Sequence, residues 1–397
     1  LTFSEWTYLA YLPLAHILEC VTESLVLANG GKIGYGTPRT LTDTGAKPCG
    51  DFVAVKPTLI VGVPRIFDTI KKTIISKLNE PGTSAIKRWL FNTAYSAKKY
   101  AYEKGRDTPL WNKLIFDKLK MVMGGKAELI LSGGAPLSSS TQEFVRMCFG
   151  ATVVQGYGLT ETAAGLTVGS MVQRMKPGLI GPIVTGAELK LVSIPEMSYL
   201  TTDKNPRGEI WTRGPCVTGG YFGKPNHEDF DADGWFHTGD IGMIIDGQLQ
   251  IIDRKKNLVK LDHGEYVAIE KVESVYNNSP FIAPNGLFIY GDSHHGHVVG
   301  IVLPSELNAK NWAVEHGVSD DMDDLVMNPE FKQAMKESLG QEAEKGNLKN
   351  FEMMRDFTIV NDEWTPENGL LTAAMKLKRI DLKAKYQSQI DAMYAQH

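Results

Sequence analysis

Residues 155–162 are Gln155-Gly156-Tyr157-Gly158-Leu159-Thr160-Glu161-Thr162, a glycine-spaced and hydroxyl-rich loop that carries one carboxylate. The loop directly follows Thr152-Val153-Val154, whose β-branched, apolar side chains predict a buried strand. A ligand lying against this loop would meet backbone N–H groups, a tyrosine ring, threonine hydroxyls and the carboxylate. That combination suits a purine nucleotide with its phosphates and Mg²⁺. Taken alone, however, a glycine loop is often no more than a turn.

A second strand and loop lie just upstream. Residues 128–132 (Glu-Leu-Ile-Leu-Ser) predict a strand that runs into Gly-Gly-Ala-Pro-Leu at 133–137, and a helix is expected from Ser138 to Phe149. Two parallel strands joined by a helix bring both loops to the carboxyl edge of one sheet, where α/β folds bind ligands. The sequence therefore predicts an α/β fold with a ligand site at this edge.

The composition is that of an ordinary globular protein and excludes few functions. The chain has 397 residues, enough for two or three domains, with 43% hydrophobic and 22% charged residues. Its net charge of -4 gives no indication of nucleic acid as a partner, because nucleic-acid binding normally requires a basic excess. The four cysteines are scattered, which favours a reducing compartment and indicates neither a disulfide framework nor a zinc site.

The sequence contains no run of about 18 uncharged apolar residues, so it predicts no transmembrane helix. The nearest approach, residues 8–30, is interrupted by Pro13, Glu19 and Glu23, and no basic segment of a signal peptide precedes it. The chain opens on Leu1, within what the pattern predicts to be a helix. We therefore expect the sequence to be part of a longer or processed protein.

The rest of the chain changes character along its length. Residues 56–63 predict a buried strand, and the lysine-rich segment 68–123 has apolar residues at helical spacing and predicts several helices. Residues 187–255 contain short strands separated by turn residues, which indicates a β-rich subdomain. Beyond Lys256 we expect a further α/β segment that ends in a basic helix from about Met375.

A second group of polar residues lies in the β-rich segment. Asp240 follows Gly239, where its carboxylate could accept both hydroxyls of a ribose. Arg254 lies at the predicted end of a later strand, and its planar guanidinium suits a ribose or a phosphate. Each residue alone has an ordinary explanation, a turn carboxylate or a surface charge. Their occurrence together favours ligand binding.

Four motifs occur in the order in which adenylate-forming enzymes carry them, over essentially the whole chain. They are Gly-Gly-Ala-Pro-Leu at 133–137, Gly-Tyr-Gly-Leu-Thr-Glu-Thr at 156–162, Gly-Trp-Phe-His-Thr-Gly-Asp at 234–240 and Asp-Arg-Lys-Lys-Asn-Leu-Val-Lys at 253–260. The sequence therefore resembles this superfamily, which includes acyl-CoA synthetases, luciferase-like enzymes and the adenylation domains of peptide synthetases.

Further segments resemble the long-chain fatty acid–CoA ligases of eukaryotic type: residues 11–19, 34–68 and 367–372, together with the helical insertion at 68–123. The resemblance implies a two-step, ATP-dependent reaction. A fatty acid carboxylate attacks the α-phosphate of ATP to give an acyl-adenylate and pyrophosphate, and the thiol of CoA then displaces AMP. Such ligases often lie on the endoplasmic reticulum membrane or on lipid droplets, so an intracellular, peripheral location is expected. The oligomeric state stays open.

The resemblance also implies the architecture of an adenylate-forming enzyme. Residues 1–255 would belong to a large AMP-binding domain with parallel sheets, including the β-rich subdomain 187–255. Residues 257–397 would form a small, mobile α/β domain that carries the catalytic lysine, and Lys256 would be the hinge. A hairpin turn without special mobility is the alternative interpretation of that position.

A nucleotide-binding set follows from the same motifs. It consists of Gly134, Ala135, Pro136, Gln155, Gly156, Tyr157, Gly158, Thr160, Asp240 and Arg254. Within it, Tyr157 would stack on the adenine and Thr160 would hold the α-phosphate. Asp240 and Arg254 would hold the ribose.

Three more residues would act at the reacting groups. Lys376 matches the catalytic lysine of the family, whose charge would offset the charge that develops on the attacked phosphate. Glu161 would ligate Mg²⁺, a hard ion that prefers oxygen ligands. His16 resembles the residue that gates the acyl pocket, although a histidine beside apolar residues could equally belong to the core.

The second step would bring a different set to the active site after the small domain has swung. This CoA-binding set is Lys260, Gly264, Glu265 and Tyr266. Gly264 would let the pantetheine arm approach the backbone closely. The basic residues Lys378, Arg379, Lys383 and Lys385 are more readily interpreted as a solvated face of the last helix.

The sequence departs from the family pattern in two places. Ala373 stands where the family usually carries proline, which predicts a less rigid loop before Lys376. The Ser/Thr/Gly-rich loop ending in Pro-Lys-Gly, which grips the β- and γ-phosphates in the family, does not occur in residues 1–397. We therefore expect the chain as written to form acyl-adenylate weakly or not at all.

Two other functions stay open beside a long-chain ligase. The chain could belong to a ligase for another class of acid, such as an aryl or medium-chain acid. It could also be a truncated relative that binds nucleotide or acyl-CoA without turnover.

Overall fold

The computed structural model describes residues 5–43, 45–80, 82–170, 176–224, 228–372 and 375–396. Its largest sheet has six strands in the order β2-β1-β3-β4-β5-β6. The strands are β1 (Thr7–Ala10), β2 (Lys32–Tyr35), β3 (Leu59–Gly62), β4 (Leu129–Ser132), β5 (Thr152–Tyr157) and β6 (Thr167–Val168). All neighbours pair in parallel except β5 and β6. The loops that follow β3, β4 and β5 consequently lie at one edge of the sheet, which confirms the predicted α/β class.

Helices accompany this sheet along the first part of the chain. They are α1 (Ile17–Ala28), α2 (Asp51–Val55), α3 (Pro64–Asn79), α4 (Ala85–Glu103), α5 (Pro109–Trp111), α6 (Asp117–Lys120) and α7 (Ser139–Phe149). Helix α3 begins with Pro64 at its first position, where a proline costs no hydrogen bond, and it buries Phe67, Ile70 and Ile74. The insertion predicted at 68–123 is thus largely helical.

Helix α7 begins and ends where its sequence requires. The hydroxyl of Ser138 accepts a hydrogen bond from the backbone N–H of Thr141 (3.1 Å), and Gly150 ends the helix with a φ of 66°. Between these ends Phe144, Val145 and Cys148 are buried against the sheet. The helix therefore returns the chain to β5 at a fixed position beside β4.

The β-rich segment forms a four-stranded antiparallel sheet in the order β10-β9-β8-β7. Its strands are β7 (Glu188–Val192), β8 (Arg207–Arg213), β9 (Phe236–Ile245) and β10 (Gln248–Arg254). The pairing of β10 with β9 shifts between Ile251 and Asp253, as at a β-bulge, and places Arg254 opposite Asp240. This register brings together the two residues that the sequence had placed on one ribose.

The described residues after Arg254 form a hairpin, a three-stranded sheet and several helices. The elements are β11 (Leu258–Lys260), β12 (Tyr266–Ala268), α8 (Ile269–Tyr276), β13 (Ile282–Tyr290), β14 (Val298–Pro304), α9 (Glu306–His316), α10 (Met322–Met327), α11 (Pro329–Lys345), β15 (Met354–Ile359) and α12 (Arg379–Ala395). Two hydrophobic clusters fill the two faces of the sheet β13-β14-β15. One contains Val272 and Phe331, and the other packs Leu382 and Tyr386 of α12 against Phe288.

Two local predictions were wrong. The chain was expected to open within a helix, but its first described element of any length is the strand β1. Tyr8, Leu9 and Ala10 are buried there, because β1 lies between β2 and β3 in the sheet. The basic helix expected from about Met375 begins at Arg379, because Met375 has a left-handed φ of 63° that a helix cannot contain.

The domain boundaries at 255–257 stay a prediction. A small cluster of Ile194, Ile241, Leu258 and Ala268 packs the β-rich sheet against the hairpin β11–β12 that follows.

Among the described residues, no helix has both the length and the apolar character that crossing a bilayer requires.

Candidate active site

Two cavities meet at the carboxyl edge of the six-stranded sheet. The first has a volume of about 460 Å³ and the second of about 960 Å³. Their linings share five residues, Gly134, Gly156, Gly158, Arg254 and Lys376. The loops after β4 and β5, the end of β10 and the segment before α12 therefore converge on one place.

The two glycine loops are fixed to each other by a buried amide. Gln155 accepts a hydrogen bond from the backbone N–H of Leu137 at 3.0 Å and donates to Gln142 at 3.0 Å. Gly134 has a φ of 79°, and a Cβ at Gly158 would lie 2.2 Å from the carbonyl oxygen of Ala164. Both positions therefore require glycine. Ala135 and Pro136 complete this wall of the first cavity.

Asp240 and Arg254 form an ion pair beside Tyr157. The Arg254 Nε lies 3.1 Å from one carboxylate oxygen of Asp240, and the Tyr157 hydroxyl donates to the other at 2.8 Å. Asp240 is only 3% exposed, and this burial raises its pKa against the opposing effect of the Arg254 charge. Burial also raises the pKa of Tyr157. The pair presents a carboxylate and a guanidinium to one cavity.

Lys376, in the segment before α12, contacts the loop that follows β4. Its Nζ donates to the carbonyl oxygen of Gly134 at 2.5 Å. Lys376 is exposed as a whole, but partial desolvation of its ammonium, and secondarily the charge of Arg254, lower its pKa. A cation at this position lies next to both cavities, where a negatively charged ligand would be stabilised.

The backbone before Lys376 is held by donors from two parts of the chain. The carbonyl oxygen of Met375 accepts hydrogen bonds from the Nδ2 of Asn285 (2.7 Å) and from a guanidinium nitrogen of Arg65 (3.3 Å). The backbone N–H of Lys376 donates to the hydroxyl of Thr372 at 3.1 Å. The predicted effect of Ala373 on this loop falls outside the described residues.

Thr160 and Glu161 lie in the second cavity, in a 3₁₀ turn directly after β5. Thr160 is exposed, and one carboxylate oxygen of Glu161 accepts a hydrogen bond from the Tyr221 hydroxyl at 2.7 Å. Within the described ranges, no three His, Cys, Asp or Glu side chains are grouped so that they could hold a metal ion. A magnesium ion at Glu161 would therefore need most of its oxygen ligands from phosphates and water.

His16 caps helix α1 and lies in the wall of the second cavity. Its Nδ1 accepts a hydrogen bond from the backbone N–H of Leu18 at 3.2 Å, so in the neutral ring the proton is on Nε2. Burial, and secondarily the charge of Lys376, lower the pKa of His16. Next to it, Ile17, Val21 and Leu25 give this cavity an apolar side.

The CoA-binding set lies apart from both cavities. Lys260 and Tyr266 pair on the hairpin β11–β12, and Gly264 occupies its turn with a φ of 92° and open space around it. Glu265 is in the same turn, where its carbonyl oxygen accepts the backbone N–H of Leu261. Lys256, in contrast, belongs to the second cavity.

Several residues of the site were missed by the sequence reasoning. No motif in the sequence marks Arg65 or Asn285 as functional. Arg65 lies shortly after β3, and Asn285 lies within β13. Trp211 and His237, whose rings stack at 3.6 Å, line the second cavity from β8 and β9. Arg379 differs from the expected solvated face, because it forms an ion pair with the buried Glu273 (2.5 Å).

Comparisons with known proteins show the family to which the chain belongs. A family model described as AMP-binding enzyme matches residues 2–222. The chain is 39% identical to long chain acyl-CoA synthetase 8 of Arabidopsis thaliana over 98% of this chain and 56% of that protein. It is 40% identical to long-chain-fatty-acid--CoA ligase 1 of Schizosaccharomyces pombe over 98% of this chain and 58% of that protein.

A solved structure shows the same fold at lower identity. It is the A domain of a carboxylic acid reductase from Segniliparus rugosus, in complex with AMP and a co-purified carboxylic acid. The TM-score is 0.76 at 26% identity, over 98% of this chain and 55% of that chain. The chain spans about half the length of the curated relatives it matches. Because the family model matches more than half of the chain, the protein belongs to the AMP-binding enzyme family.

Proposed function

We propose that the chain contributes the nucleotide-binding and catalytic residues of a long-chain fatty acid–CoA ligase that forms an acyl-adenylate and releases AMP and pyrophosphate. One observation carries the proposal: the ammonium of Lys376 lies on Gly134, next to the Asp240–Arg254 pair and between two cavities. A cation, a ribose-binding carboxylate and a polar loop at one point suit attack of a carboxylate on a nucleotide phosphate.

The first cavity suits the nucleoside. Gly134, Ala135, Pro136 and Tyr157 would enclose the adenine, and the carboxylate of Asp240 would accept the ribose hydroxyls. Tyr157 and Arg254 already hold that carboxylate in place, so little reorganisation is needed when the ribose binds. Burial in this wall excludes water from competing for the carboxylate.

The phosphate would lie where the two cavities join. The Thr160 hydroxyl would donate to the α-phosphate, and Glu161 would hold Mg²⁺ together with phosphate oxygens. The ammonium of Lys376 would exchange its contact with Gly134 for the oxygens on which charge develops as the carboxylate attacks. Displacement of pyrophosphate would leave the acyl-adenylate in place.

The second cavity supports a lipid acid as the other substrate. Its volume is about twice that of the first, and the apolar side chains of α1 line one side. His16, at the start of α1, would lie near the entry to this pocket and close to Lys376. An acid with a long alkyl chain fits an apolar wall that extends away from the polar loops.

The CoA step would require a different arrangement. Lys260, Gly264, Glu265 and Tyr266 lie on a hairpin outside both cavities, so the part of the chain after Lys256 would have to rotate before they meet the adenylate. We propose Lys256 as the hinge, since it lies in the short turn between β10 and β11. Association with the endoplasmic reticulum membrane or with lipid droplets stays a prediction.

Binding of stable acyl-adenylate mimics tests the substrate class. Palmitoyl, octanoyl and benzoyl sulfamoyl-adenosines would be titrated into the full chain by calorimetry. We expect the palmitoyl compound to bind at least about tenfold more tightly than the benzoyl compound, because additional apolar area is buried. Equal affinities, or a preference for benzoyl, would favour a ligase for another class of acid.

Pyrophosphate–ATP exchange tests whether the site is catalytic. In a full-length protein that also carries the phosphate-gripping loop, replacing the cation in Lys376→Met should lower the exchange rate by about 100-fold or more while AMP still binds. The matched control is Lys378→Met, an exposed lysine nearby that pairs with Asp381. AMP binding without exchange in that full-length protein would instead support a binding protein without turnover.

A further inference from the structure

A third cavity, of about 490 Å³, surrounds the start of strand β5. Its walls come from α4, from the segment that ends in α6, and from α7. It shares Gln155 with the first of the two cavities described above and no residue with the second. The proposed ligase reaction makes no use of this cavity.

Positive charge dominates the walls of this cavity. Lys98, Lys120 and Arg146 line it, against one carboxylate, Asp107. Lys98 and Arg146 are each only 8% exposed. The ammonium nitrogens of Lys98 and Lys120 lie within 4.0 Å and 3.6 Å of the same point, the Cβ position of Gly150. Two like charges are thus held close together at a largely buried place.

The contacts of these cations do not neutralise them. Lys120 pairs with Asp117 at 3.2 Å, and Arg146 donates to the carbonyl oxygen of Val153 at 3.1 Å. Among the described residues, Lys98 forms no salt bridge and no hydrogen bond, and its ammonium lies 4.2 Å from the centre of the Phe116 ring. Burial, and then the charge of Lys120, lower the pKa of Lys98 to about 8.

The end of helix α7 offers a partial explanation for the lysines. Gly150 is its C-cap, and the carbonyl groups of a helix C-terminus carry a partial charge of about -0.5. That partial charge attracts one cation but does not balance three. A buried, unpaired ammonium is unfavourable unless an anion or ordered water accompanies it.

We propose that this cavity binds an oxyanion of the phosphate class carrying at least two negative charges. Lys98 and Lys120 would donate to its oxygens from one side, and Arg146 would supply the planar donor from the other. The volume exceeds that needed for a single phosphate, so inorganic pyrophosphate and a small phosphorylated organic molecule are both compatible sources. The site is separate from the nucleotide pocket, although Gln155 and Gln142 link the two walls by a 3.0 Å hydrogen bond.

Calorimetric titration of the full chain with pyrophosphate tests this site. We expect saturable binding at one site, weakened about tenfold in Lys98→Met because one charge-assisted contact is lost. Lys113→Met is the matched control, since Lys113 is exposed and absent from the cavity walls, and should bind as the wild type does. Should Lys98→Met fail to fold, Lys120→Met gives the same comparison at a less buried position.

The titration is repeated in Lys376→Met, which removes the cation that the ligase proposal places on the phosphates and which does not line the third cavity. Retained pyrophosphate affinity there places the anion in the third cavity, whatever the outcome for the ligase proposal. Orthophosphate and glucose 6-phosphate, used as further probes, distinguish an inorganic ion from an organic phosphate. The proposal is overturned if pyrophosphate binding does not saturate, if Lys98→Met and Lys120→Met bind as the control does, or if Lys376→Met abolishes binding.

Discussion

The carboxylate of Asp240 is buried and lies between two donors, the Tyr157 hydroxyl and the Arg254 guanidinium. In Asp240→Asn the size is kept, but one acceptor becomes a donor and the charge facing Arg254 is lost. We expect the affinity for AMP to fall about tenfold or more in a calorimetric titration. The exposed Asp246, which pairs with Lys176, provides the control Asp246→Asn. Similar losses in both variants would contradict the ribose-binding role.

Tyr157 contributes to the same pair through its hydroxyl. Tyr157→Phe leaves a buried carboxylate oxygen without its donor, and such a loss typically costs about 1–3 kcal/mol. We therefore expect the free energy of unfolding, measured with urea, to fall within that range. Tyr100, which is 63% exposed, allows the control Tyr100→Phe, for which no comparable change is expected. An unchanged free energy of unfolding in Tyr157→Phe would mean that the hydrogen bond to Asp240 does not stabilise the fold.

Glu19 is a fully buried carboxyl group on helix α1, and burial raises its pKa from an ordinary value of 4.5 to about 7 despite a hydrogen bond from Tyr8 (2.7 Å). Between these two values the unfolded chain loses the proton while the folded chain keeps it. The free energy of unfolding should therefore fall as the pH rises through this window, by roughly 3 kcal/mol in total, and the contribution should level off above about pH 7.

The variant Glu19→Gln isolates this effect, because glutamine does not titrate. Chemical unfolding at several pH values between about 4.5 and 7.5 should show a smaller fall in stability for the variant than for the wild type. The exposed Glu128 gives the control Glu128→Gln, which should keep the wild-type pH dependence. A wild-type slope that survives in Glu19→Gln would assign the effect to another group.

At the scale of elements, helix α3 connects the large sheet to the segment that carries Lys376. Its first turn contributes Arg65, which is half-buried and donates to the carbonyl oxygen of Met375. Burial lowers the pKa of Arg65 to about 10. The rotation proposed before the CoA step would carry Lys376 away from Gly134 and break this hydrogen bond, so we expect Arg65 to position the lysine for adenylation and not for the CoA step.

Arg65→Met should therefore affect one half-reaction more than the other. In a full-length protein that also carries the phosphate-gripping loop, we expect the rate of adenylate formation to fall about tenfold, because the carbonyl of Met375 loses one of its two donors. The rate of thioester formation from supplied acyl-adenylate and CoA should change little. Arg88→Met, at an exposed position on α4, serves as the control. Equal losses in both half-reactions would indicate a general structural role for Arg65.

The sequence predicted the elements near the site well. The predicted strand at 128–132 is confirmed as β4, and the helix after it follows from its serine cap and glycine end. The strand predicted at 152–154 was too short, because β5 continues through Tyr157, where Gly156 and Tyr157 pair with β6. The β-rich character of residues 187–255 was also anticipated, and β7 to β10 lie there. The position of Arg254 opposite Asp240 depends on a register shift that no local pattern reveals.

At the scale of the molecule, polar contacts from α3 hold the part of the chain after Lys256 against the large sheet. Lys72 donates to the carbonyl oxygen of Ile282 at 2.7 Å, Lys71 to Asn278 at 3.2 Å, and Ser76 to Asn308 at 3.1 Å. These contacts join residues more than 200 positions apart, so they depend on the whole fold. They stabilise the arrangement in which Lys376 faces Gly134.

Lys72→Met removes one of these contacts and should loosen the arrangement. We expect limited trypsin digestion to cleave faster at Lys255 and Lys256, in the turn between β10 and β11, because that turn would be freed more often. Lys77→Met, at an exposed position of the same helix, is the control. If both variants were cleaved at the wild-type rate, α3 would not hold the adenylation arrangement.

The sequence alone could not predict how the segments that form the site are positioned relative to one another. The resemblance of the four motifs to those of adenylate-forming enzymes predicted which residues would meet. The convergence itself depends on long-range pairings such as Lys376 with Gly134 and Arg65 with Met375, which leave no periodic pattern in the sequence. Neither Arg65 nor Asn285 differs locally from an ordinary surface residue.

The most direct measurement is a crystal structure of the full chain with palmitoyl sulfamoyl-adenosine. We predict that the ribose hydroxyls lie within hydrogen-bond distance of the Asp240 carboxylate, that the Lys376 ammonium contacts the sulfamoyl oxygens, and that the acyl chain follows α1 into the larger cavity. A compound bound elsewhere, or an adenosine that contacts neither Asp240 nor Arg254, would contradict the convergence of these segments on one adenylate.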